Sequence, residues 1–237
     1  MPAPQISILV PAYGEAATIA TVVRRVLDLG LDAEIIVIDD GSVDGTAQIV
    51  QGIAERAPGV RLIRHEQNRG KGAAVRTGIA ASTGAIVLIQ DADLEYDPAD
   101  IPKLLKPLVS GVADVVYGTR LRGGEPQRAH LFWHYAGNRF LSLLTNVLFN
   151  TTISDMEVGY KAFDGDLVRS LRIISDDFAF EPEITARVLL TPGIRLYEVP
   201  ISYYGRTYEE GKKITWRDGI KAAWSLVRFR VTARPPR

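Results

Sequence analysis

The chain has 237 residues, of which 46% are hydrophobic and 24% charged, a composition typical of one globular domain. Basic and acidic side chains balance at 28 each, so no overall positive field draws the chain to nucleic acid. The absence of cysteine excludes disulfides, zinc–thiolate sites and cysteine nucleophiles.

Strands and helices alternate through the first half of the chain. β-branched and apolar runs predict strands over residues 5–10, 34–38, 60–64, 85–90 and 114–117. Helical spacing predicts helices over residues 15–29, 46–57, 72–81 and 98–110. Asp97 is the expected N-cap of the last of these, because Pro98 suits a first helical position. This alternation predicts a parallel α/β sheet covered by helices on both faces.

The second half has a less regular pattern. Helices are predicted over residues 130–149 and 216–229, and strands over 159–163 and 195–201. Repeats and linkers are not evident, which favours one domain over residues 1–237. The start of the chain lacks the pattern of a signal peptide, and polar residues interrupt its longest apolar stretch, residues 131–149. We therefore expect a soluble or peripheral protein.

Three polar segments follow predicted strands, at residues 12–15, 39–44 and 91–95. In parallel sheets, ligands bind beyond the carboxyl ends of the strands, so these segments predict a binding site at one edge. Tyr13 could stack on a nucleotide base, and Glu15 could accept hydrogen bonds from ribose or base. The alternative is turn and helix-cap chemistry, which uses the same residue types.

Asp91 and Asp93 form the most informative pair. Residues two apart at the end of a strand point the same way, so their carboxylates would share one volume. Their repulsion is about 1 kcal/mol at 4 Å in water and several-fold larger in a cleft, and a bound cation reverses its sign. Oxygen ligands favour Mg²⁺ or Mn²⁺, with Glu95 as a further candidate ligand. A solvated acidic turn is the alternative.

Six motifs together carry a family resemblance. They are PAYGE at 11–15, DDGSVDGT at 39–46, NRGKG at 68–72, QDAD at 90–93, GTR at 118–120 and EVPI at 198–201. The chain resembles family-two glycosyltransferases over about residues 5–215, and within them the polyprenyl-phosphate (dolichyl-phosphate) mannosyl- and glucosyltransferases.

The resemblance implies a GT-A fold, a Rossmann-like and mostly parallel sheet flanked by helices, in a single domain with a C-terminal amphipathic helix. Residues 5–118 would bind the nucleotide sugar and residues 119–215 the acceptor. Residues 216–237 would form an interfacial helix and tail.

The resemblance also implies roles for individual residues. Contacts to the nucleoside would come from Pro11, Tyr13, Glu15, Ile38 and Asp40. The diphosphate would lie against Asp91, Ala92 and Asp93, with both aspartates on the metal. Phosphate charge would be neutralised by Arg120, Arg206 and Lys212, so that Asp91, Asp93 and Arg120 are the expected catalytic residues.

This sequence departs from the family pattern at two positions. Gly14 stands where the family usually carries Asn, and Glu157 where the best-known mannosyl members carry a hydroxyl residue. The first departure affects a nucleotide loop, and the second affects the expected acceptor loop and the choice of sugar.

Residues 130–149 and 216–229 combine aromatic and apolar side chains with Lys and Arg. Such helices either lie at a membrane surface or pack their apolar stripe into the core. The first segment fits both interpretations equally, and the second favours the membrane. A membrane surface is therefore an expected partner, reached directly or through a separate membrane subunit.

The predicted function is inverting transfer of a hexose from a nucleotide-diphosphate sugar to polyprenyl phosphate at the cytoplasmic membrane face, with Mg²⁺ or Mn²⁺. GDP-mannose is the favoured donor and UDP-glucose the second. A phosphate monoester has its second pKa near 6, so it is already a nucleophile at pH 7 and needs no protein base. The three histidines lie outside the strand-end motifs, which agrees with this.

Two alternatives remain open. The first is transfer to a sugar or protein hydroxyl, for which Asp155 or Glu157 would be the base. The second is a non-catalytic subunit that binds nucleotide sugars.

Overall fold

A computed structural model describes residues 5–124, 128, 132–205 and 216–233, with only the backbone of residues 216–218. The predicted phosphate ligands Arg206 and Lys212 lie outside these residues. The phosphate-binding roles of these two residues therefore stay predictions.

A seven-stranded sheet forms the centre of the domain. The strands are β1 (Ile6–Ala12), β2 (Ala33–Asp39), β3 (Val60–Arg64), β4 (Ile86–Ile89), β5 (Val115–Thr119), β6 (Lys161–Asp164) and β7 (Leu196–Pro200). Their order across the sheet is β3-β2-β1-β4-β6-β5-β7. Every pairing is parallel except that β6 runs antiparallel to both β4 and β5. The central strands are buried on both faces, which explains their continuous apolar sequences.

Eight α-helices surround the sheet in the described part of the chain. They are α1 (Ile19–Leu27), α2 (Thr46–Ala54), α3 (Lys71–Ala81), α4 (Ile101–Val109), α5 (Phe132–Phe149), α6 (Gly165–Ser170), α7 (Phe180–Leu189) and α8 (Trp216–Thr232). A 3₁₀ turn over Pro98–Asp100 precedes α4, and Asp97 caps it by accepting a hydrogen bond from the Ala99 N–H at 3.0 Å. The mostly parallel α/β architecture and the Asp97 cap are therefore confirmed.

Two helices were not predicted, α6 and α7. The sequence of α7 carries Pro182 near its start, and its buried side chains include Glu181 and Glu183. These residues interrupt the apolar periodicity by which a helix is recognised in a sequence. The first helix also begins later than predicted, because residues 15–18 form a turn closed by the Thr18 N–H and the Glu15 carbonyl.

The core has two parts. The larger surrounds the sheet, and the smaller lies between α5 and α8, where Leu141, Met156 and Leu226 are buried together. Both helices are thus attached to the domain through one face. Among the described residues, no helix is both long enough and apolar enough to cross a membrane.

Two glycines test how closely the backbone is packed. At Gly84 an added Cβ would lie 2.6 Å from the Ser7 backbone nitrogen, whereas at Gly52 in α2 the nearest atom is the Arg56 Nη2 at 3.6 Å. Gly84→Ala should lower the free energy of unfolding by about 1–3 kcal/mol, because backbone must move. Gly52→Ala should raise it by about 0.5–1 kcal/mol, because alanine favours a helix. Urea unfolding followed by circular dichroism measures both; a stabilising Gly84→Ala would contradict the packing.

Candidate active site

A cavity of about 1090 Å³ lies beyond the carboxyl ends of β1, β2, β4 and β5. Its wall includes eight of the predicted site residues, namely Pro11, Tyr13, Glu15, Asp40, Asp91, Ala92, Asp93 and Arg120. Ile38 differs, because its side chain is fully buried in the core and does not line the cavity. An added Cβ on Gly78 of α3 would lie 2.8 Å from the Ile38 Cδ1. The structure therefore gives Ile38 no exposed surface through which to contact a nucleoside.

The loop after β1 is held in place by the loop after β2. The Gly14 N–H donates to the Ser42 hydroxyl at 3.0 Å, and the Glu15 N–H donates to the Thr46 hydroxyl at 3.0 Å. Gly14 has a φ of 71°, and no atom lies within 4 Å of its missing Cβ. Asn tolerates this left-handed region best after glycine. The Gly14 departure from the family pattern thus leaves the loop conformation intact.

Asp40 organises the start of α3. Its buried carboxylate lies 2.6 Å from the His65 Nδ1 and accepts hydrogen bonds from the Arg69 and Gly70 N–H groups at 3.0 and 2.7 Å. His65 directly follows β3, and His134 lines the cavity. Both histidines lie outside the three strand-end motifs in sequence, yet the fold brings His65 onto Asp40 and His134 onto the cavity wall.

Asp91 begins a chain of four alternating charges that the sequence analysis did not identify. The Lys71 Nζ lies 2.8 Å from the Asp91 Oδ1 and 3.2 Å from the Glu181 Oε1. The other Glu181 oxygen pairs with the buried Lys161. Burial alone would lower the pKa of Lys71, but the two carboxylates outweigh it and raise this pKa above its ordinary value. Lys71 therefore stays charged.

Asp91 and Asp93 offer oxygen donors that suit Mg²⁺ or Mn²⁺. Gly159 packs so closely on Asp91 that any Cβ there would overlap the carboxylate. Asp93 accepts a hydrogen bond from the Glu95 N–H at 3.1 Å, and Glu95 accepts one from the Tyr203 hydroxyl at 2.8 Å. No cluster of three or more potential metal ligands occurs among the described residues. A metal held by these two aspartates would therefore have to complete its coordination with substrate phosphates and water.

Arg120 is held by Asp155 through two hydrogen bonds, Nε to Oδ2 and Nη2 to Oδ1, both 2.7 Å long. The guanidinium carbon lies 5.0 Å from the centre of the Tyr203 ring, and Asn138 donates to Asp155 at 2.8 Å. Burial would raise the pKa of Asp155, but Arg120 outweighs it and lowers this pKa. Asp155 is therefore unsuited to act as a base. A phosphate could bind only those N–H groups of Arg120 that do not already donate to Asp155.

Glu157 also lies on the cavity wall, and its Oε1 is buried with no hydrogen-bond partner in the described part of the chain. Burial raises the pKa of Glu157 to about 7, and the nearby Glu181 adds to the effect. The positive charges of Lys161 and Arg120 act to lower this pKa, but it remains raised overall. Glu157 thus titrates near neutrality.

Part of the cavity wall is apolar. Trp133 and Phe140 from α5 line it, as do Ile220 and Ala223 from α8. Exposed apolar side chains continue along both helices, at Trp133, Phe140, Leu143 and Val147 on α5 and at Ile220, Trp224, Val227 and Val231 on α8. Arg230 donates to the Leu148 carbonyl at 2.8 Å, which fixes the C-terminal parts of the two helices side by side. Each helix therefore packs one face on the core and exposes an apolar stripe that begins at the cavity.

The mostly parallel seven-stranded sheet flanked by helices, with two aspartates directly after β4, has the architecture of the GT-A fold of glycosyltransferases. The sequence model of glycosyl transferase family 2 matches residues 7–171, and the chain belongs to this family.

Curated relatives include lipid-phosphate sugar transferases. The undecaprenyl-phosphate mannosyltransferase of Micrococcus luteus is 28% identical, over 94% of this chain and 97% of that protein. The UDP-N-acetylglucosamine–dolichyl-phosphate N-acetylglucosaminyltransferase of Methanococcus voltae is 27% identical, over 95% and 96%. A solved structure of glucosyl-3-phosphoglycerate synthase from Mycobacterium tuberculosis with Mn²⁺, UDP and phosphoglyceric acid superposes with a TM-score of 0.73. It is 23% identical, covers 98% of this chain and 80% of its own, and confirms the fold.

The opposite pKa shifts of two glutamates predict opposite effects on stability. Glu157 has a raised pKa, so its ionisation between about pH 4.5 and 7 costs the folded state up to about 3 kcal/mol, and the full cost persists above pH 7. Glu157→Gln should therefore be more stable than the wild type at pH 8, and the gain should shrink at pH 5. Thermal unfolding at the two pH values measures this difference.

Glu34 provides the matched control. Burial raises its pKa, but hydrogen bonds from Ser7 and Thr83 outweigh burial, so that this pKa is lowered overall. The stabilisation from its ionised form is present at neutral pH and is lost as pH falls through the lowered pKa. Glu34→Gln should therefore be destabilising at pH 8. Equal changes at pH 5 and pH 8 for Glu157→Gln would contradict the assignment.

Proposed function

We propose that the protein transfers a hexose from a nucleotide-diphosphate sugar to a polyprenyl phosphate at the cytoplasmic face of a membrane. The observation that carries the proposal is the mixed wall of the cavity. It includes the carboxylates of Asp91 and Asp93 as well as the apolar side chains of Trp133, Phe140 and Ile220. A charged donor and an acceptor with a hydrocarbon chain both find matching surfaces there. The two lipid-phosphate transferases among its relatives support the same acceptor class.

The donor would lie against the strand edges. Pro11, Tyr13, Glu15 and Asp40 would contact the nucleoside, whereas Ile38 is fully buried in the core. The diphosphate would lie at Asp91, Ala92 and Asp93, near the Lys71 ammonium. Arg120, together with Arg206 and Lys212, would neutralise phosphate charge. GDP-mannose is the favoured donor, and UDP-glucose is the second choice.

Asp91 and Asp93 would hold Mg²⁺ or Mn²⁺ against the diphosphate. When bound, the metal would stabilise the charge that develops on the leaving nucleoside diphosphate. The synthase structure that shares this fold contains Mn²⁺ and UDP, which supports divalent metal use in such a site. The chain's own residues would orient the donor and exclude water from the anomeric carbon.

The acceptor phosphate oxygen would attack the anomeric carbon and invert its configuration. An ionised phosphate is a sufficient nucleophile at pH 7, so no protein base is required. A hydroxyl acceptor would need one, and the pairing of Asp155 with Arg120 leaves Glu157 as the only candidate of the original two. Comparing polyprenyl phosphate with soluble sugar acceptors separates these two reactions.

The proposed transfer is tested with three donors, GDP-mannose, UDP-glucose and UDP-N-acetylglucosamine, each combined with polyprenyl phosphate and Mg²⁺ or Mn²⁺. We expect one donor to give a lipid-linked sugar by mass spectrometry, and EDTA to abolish the product. Asp91→Ala and Asp93→Ala should each reduce turnover at least about 100-fold, because charge stabilisation at the leaving group is lost. Asp166→Ala, on a side chain that is 99% exposed, is the control. Transfer by Asp91→Ala in EDTA would refute the metal role.

The apolar stripes of α5 and α8 would lie in the membrane interface. Trp133 is 82% exposed and Trp224 is 68% exposed, although neighbouring residues of both helices are buried in the core. Exposed apolar patches of this kind, next to a cavity, are typical of interaction surfaces. Lys221 and Arg228 are exposed on α8 and could contact lipid headgroups. A separate membrane subunit is the alternative partner for the same surface.

Vesicle flotation tests the membrane surface independently of catalysis. Trp133→Glu and Trp224→Glu should each reduce binding to vesicles of anionic phospholipid by about 10-fold or more, because a buried Trp contributes about 1.5–3 kcal/mol. Val109→Glu is the control, since Val109 is 57% exposed but lies on α4. Equal losses in all three variants, or no flotation of the wild type, would contradict direct docking.

A further inference from the structure

We infer that Glu157 recognises a hydroxyl group on the sugar of the donor and so determines which sugar the enzyme accepts. The inference rests on the proposed function, since it assumes a nucleotide-sugar donor in this cavity. Glu157 would then select the sugar without contacting the nucleotide, unlike the residues already proposed to bind the donor.

The position of Glu157 follows from the antiparallel direction of β6. Strand pairing places Lys161 opposite Ile89, and continuing this register brings residue 159 beside residue 91. The close approach of Gly159 to Asp91, and the hydrogen bond from the Gly159 N–H to the Tyr96 hydroxyl at 2.9 Å, agree with the extended register. The segment that precedes β6 therefore crosses the cavity wall next to the diphosphate end.

The other end of this segment is fixed as well. Asp155 accepts three hydrogen bonds from Arg120, one of them from its backbone N–H, and a fourth from Asn138. Glu157 lies midway between Asp155 and Gly159, so it stands between the Arg120 side and the Asp91 side of the cavity. Under the proposed function, the sugar joins the diphosphate to the acceptor at the moment of transfer and would lie in the same interval.

The chemistry of Glu157 suits a hydroxyl group rather than a phosphate. Its Oε1 is buried and accepts no hydrogen bond from the described residues, whereas Glu181 and Asp91 nearby are both paired with Lys71. A buried acceptor without a donor is costly, and a ligand donor removes that cost. A fully ionised phosphate offers no hydrogen-bond donor, and its charge is repelled whenever Glu157 is ionised. Glu157 is only partly buried and lines the cavity, so its carboxyl group can accept a hydrogen bond from a sugar hydroxyl there.

The inference is tested by comparing the binding of two ligands, one that carries the sugar and one that lacks it. The dissociation constants of the nucleoside diphosphate and of the corresponding nucleotide sugar are measured by calorimetry for the wild type, Glu157→Ala, Glu157→Gln and the control Glu34→Gln. We expect Glu157→Ala to bind the nucleotide sugar at least about 10-fold more weakly, and the nucleoside diphosphate within about 2-fold of the wild type. Glu157→Gln should recover part of the loss, because its amide oxygen still accepts a hydrogen bond. Glu34→Gln should change neither affinity.

Three results would overturn the inference while leaving the proposed function intact, provided the wild type transfers sugar. Equal weakening of both ligands in Glu157→Ala would indicate a structural role. Unchanged binding with a reduced kcat would indicate a base for the acceptor instead. Unchanged binding and unchanged kcat would show that the sugar does not contact Glu157. A wild type that binds no nucleotide sugar overturns both the inference and the proposed function.

Discussion

The ion-paired chain from Asp91 through Lys71 and Glu181 to Lys161 is the interaction on which the site depends. Its members come from four different places: the segment after β4, the start of α3, the start of α7, and β6. An unpaired charge in this environment would cost several kcal/mol, and removing one partner leaves the next uncompensated. This series of ion pairs therefore forms only when all four elements are in place. It fixes the carboxylate of Asp91 at the edge of the sheet and ties that edge to the second half of the molecule.

The same arrangement explains why the two halves of the chain form one site. Strand β6 belongs to the second half by sequence, yet it lies between β4 and β5 of the first half. Because it enters antiparallel, the residues before it, rather than after it, reach the carboxyl ends of the parallel strands. A parallel strand in this place would have carried Asp155 and Glu157 to the opposite edge. The antiparallel direction of β6 thus brings Asp155 and Glu157 to the edge that carries Arg120 and Asp91.

Much of the fold was predictable from the sequence, because buried parallel strands read as apolar runs and Asp97 before Pro98 marks a helix start. The carboxylate pair was predictable for the same reason, since it directly follows the buried run of β4. The partners of that pair were not, because Lys71, Glu181 and Lys161 are far apart in sequence and resemble solvated charges until they are brought together. Helix α7 was missed because its inward face carries glutamates. Patterns of hydropathy detect buried apolar residues, but they do not detect buried charges that are paired.

Helices α5 and α8 show a further limit of sequence patterns. Packing into the core and exposure at a membrane were weighed as alternatives, and the structure combines an inner packed face with an outer apolar stripe on each helix. A helix with apolar residues on two faces has a weaker periodicity than a helix that buries only one. The packed face holds the stripe at a fixed position relative to the cavity, which a helix bound only to lipid could not do. Attachment to the core and an apolar outer surface are therefore complementary: the first sets the distance from the carboxylate edge, and the second offers a surface that the proposed acceptor chain would contact.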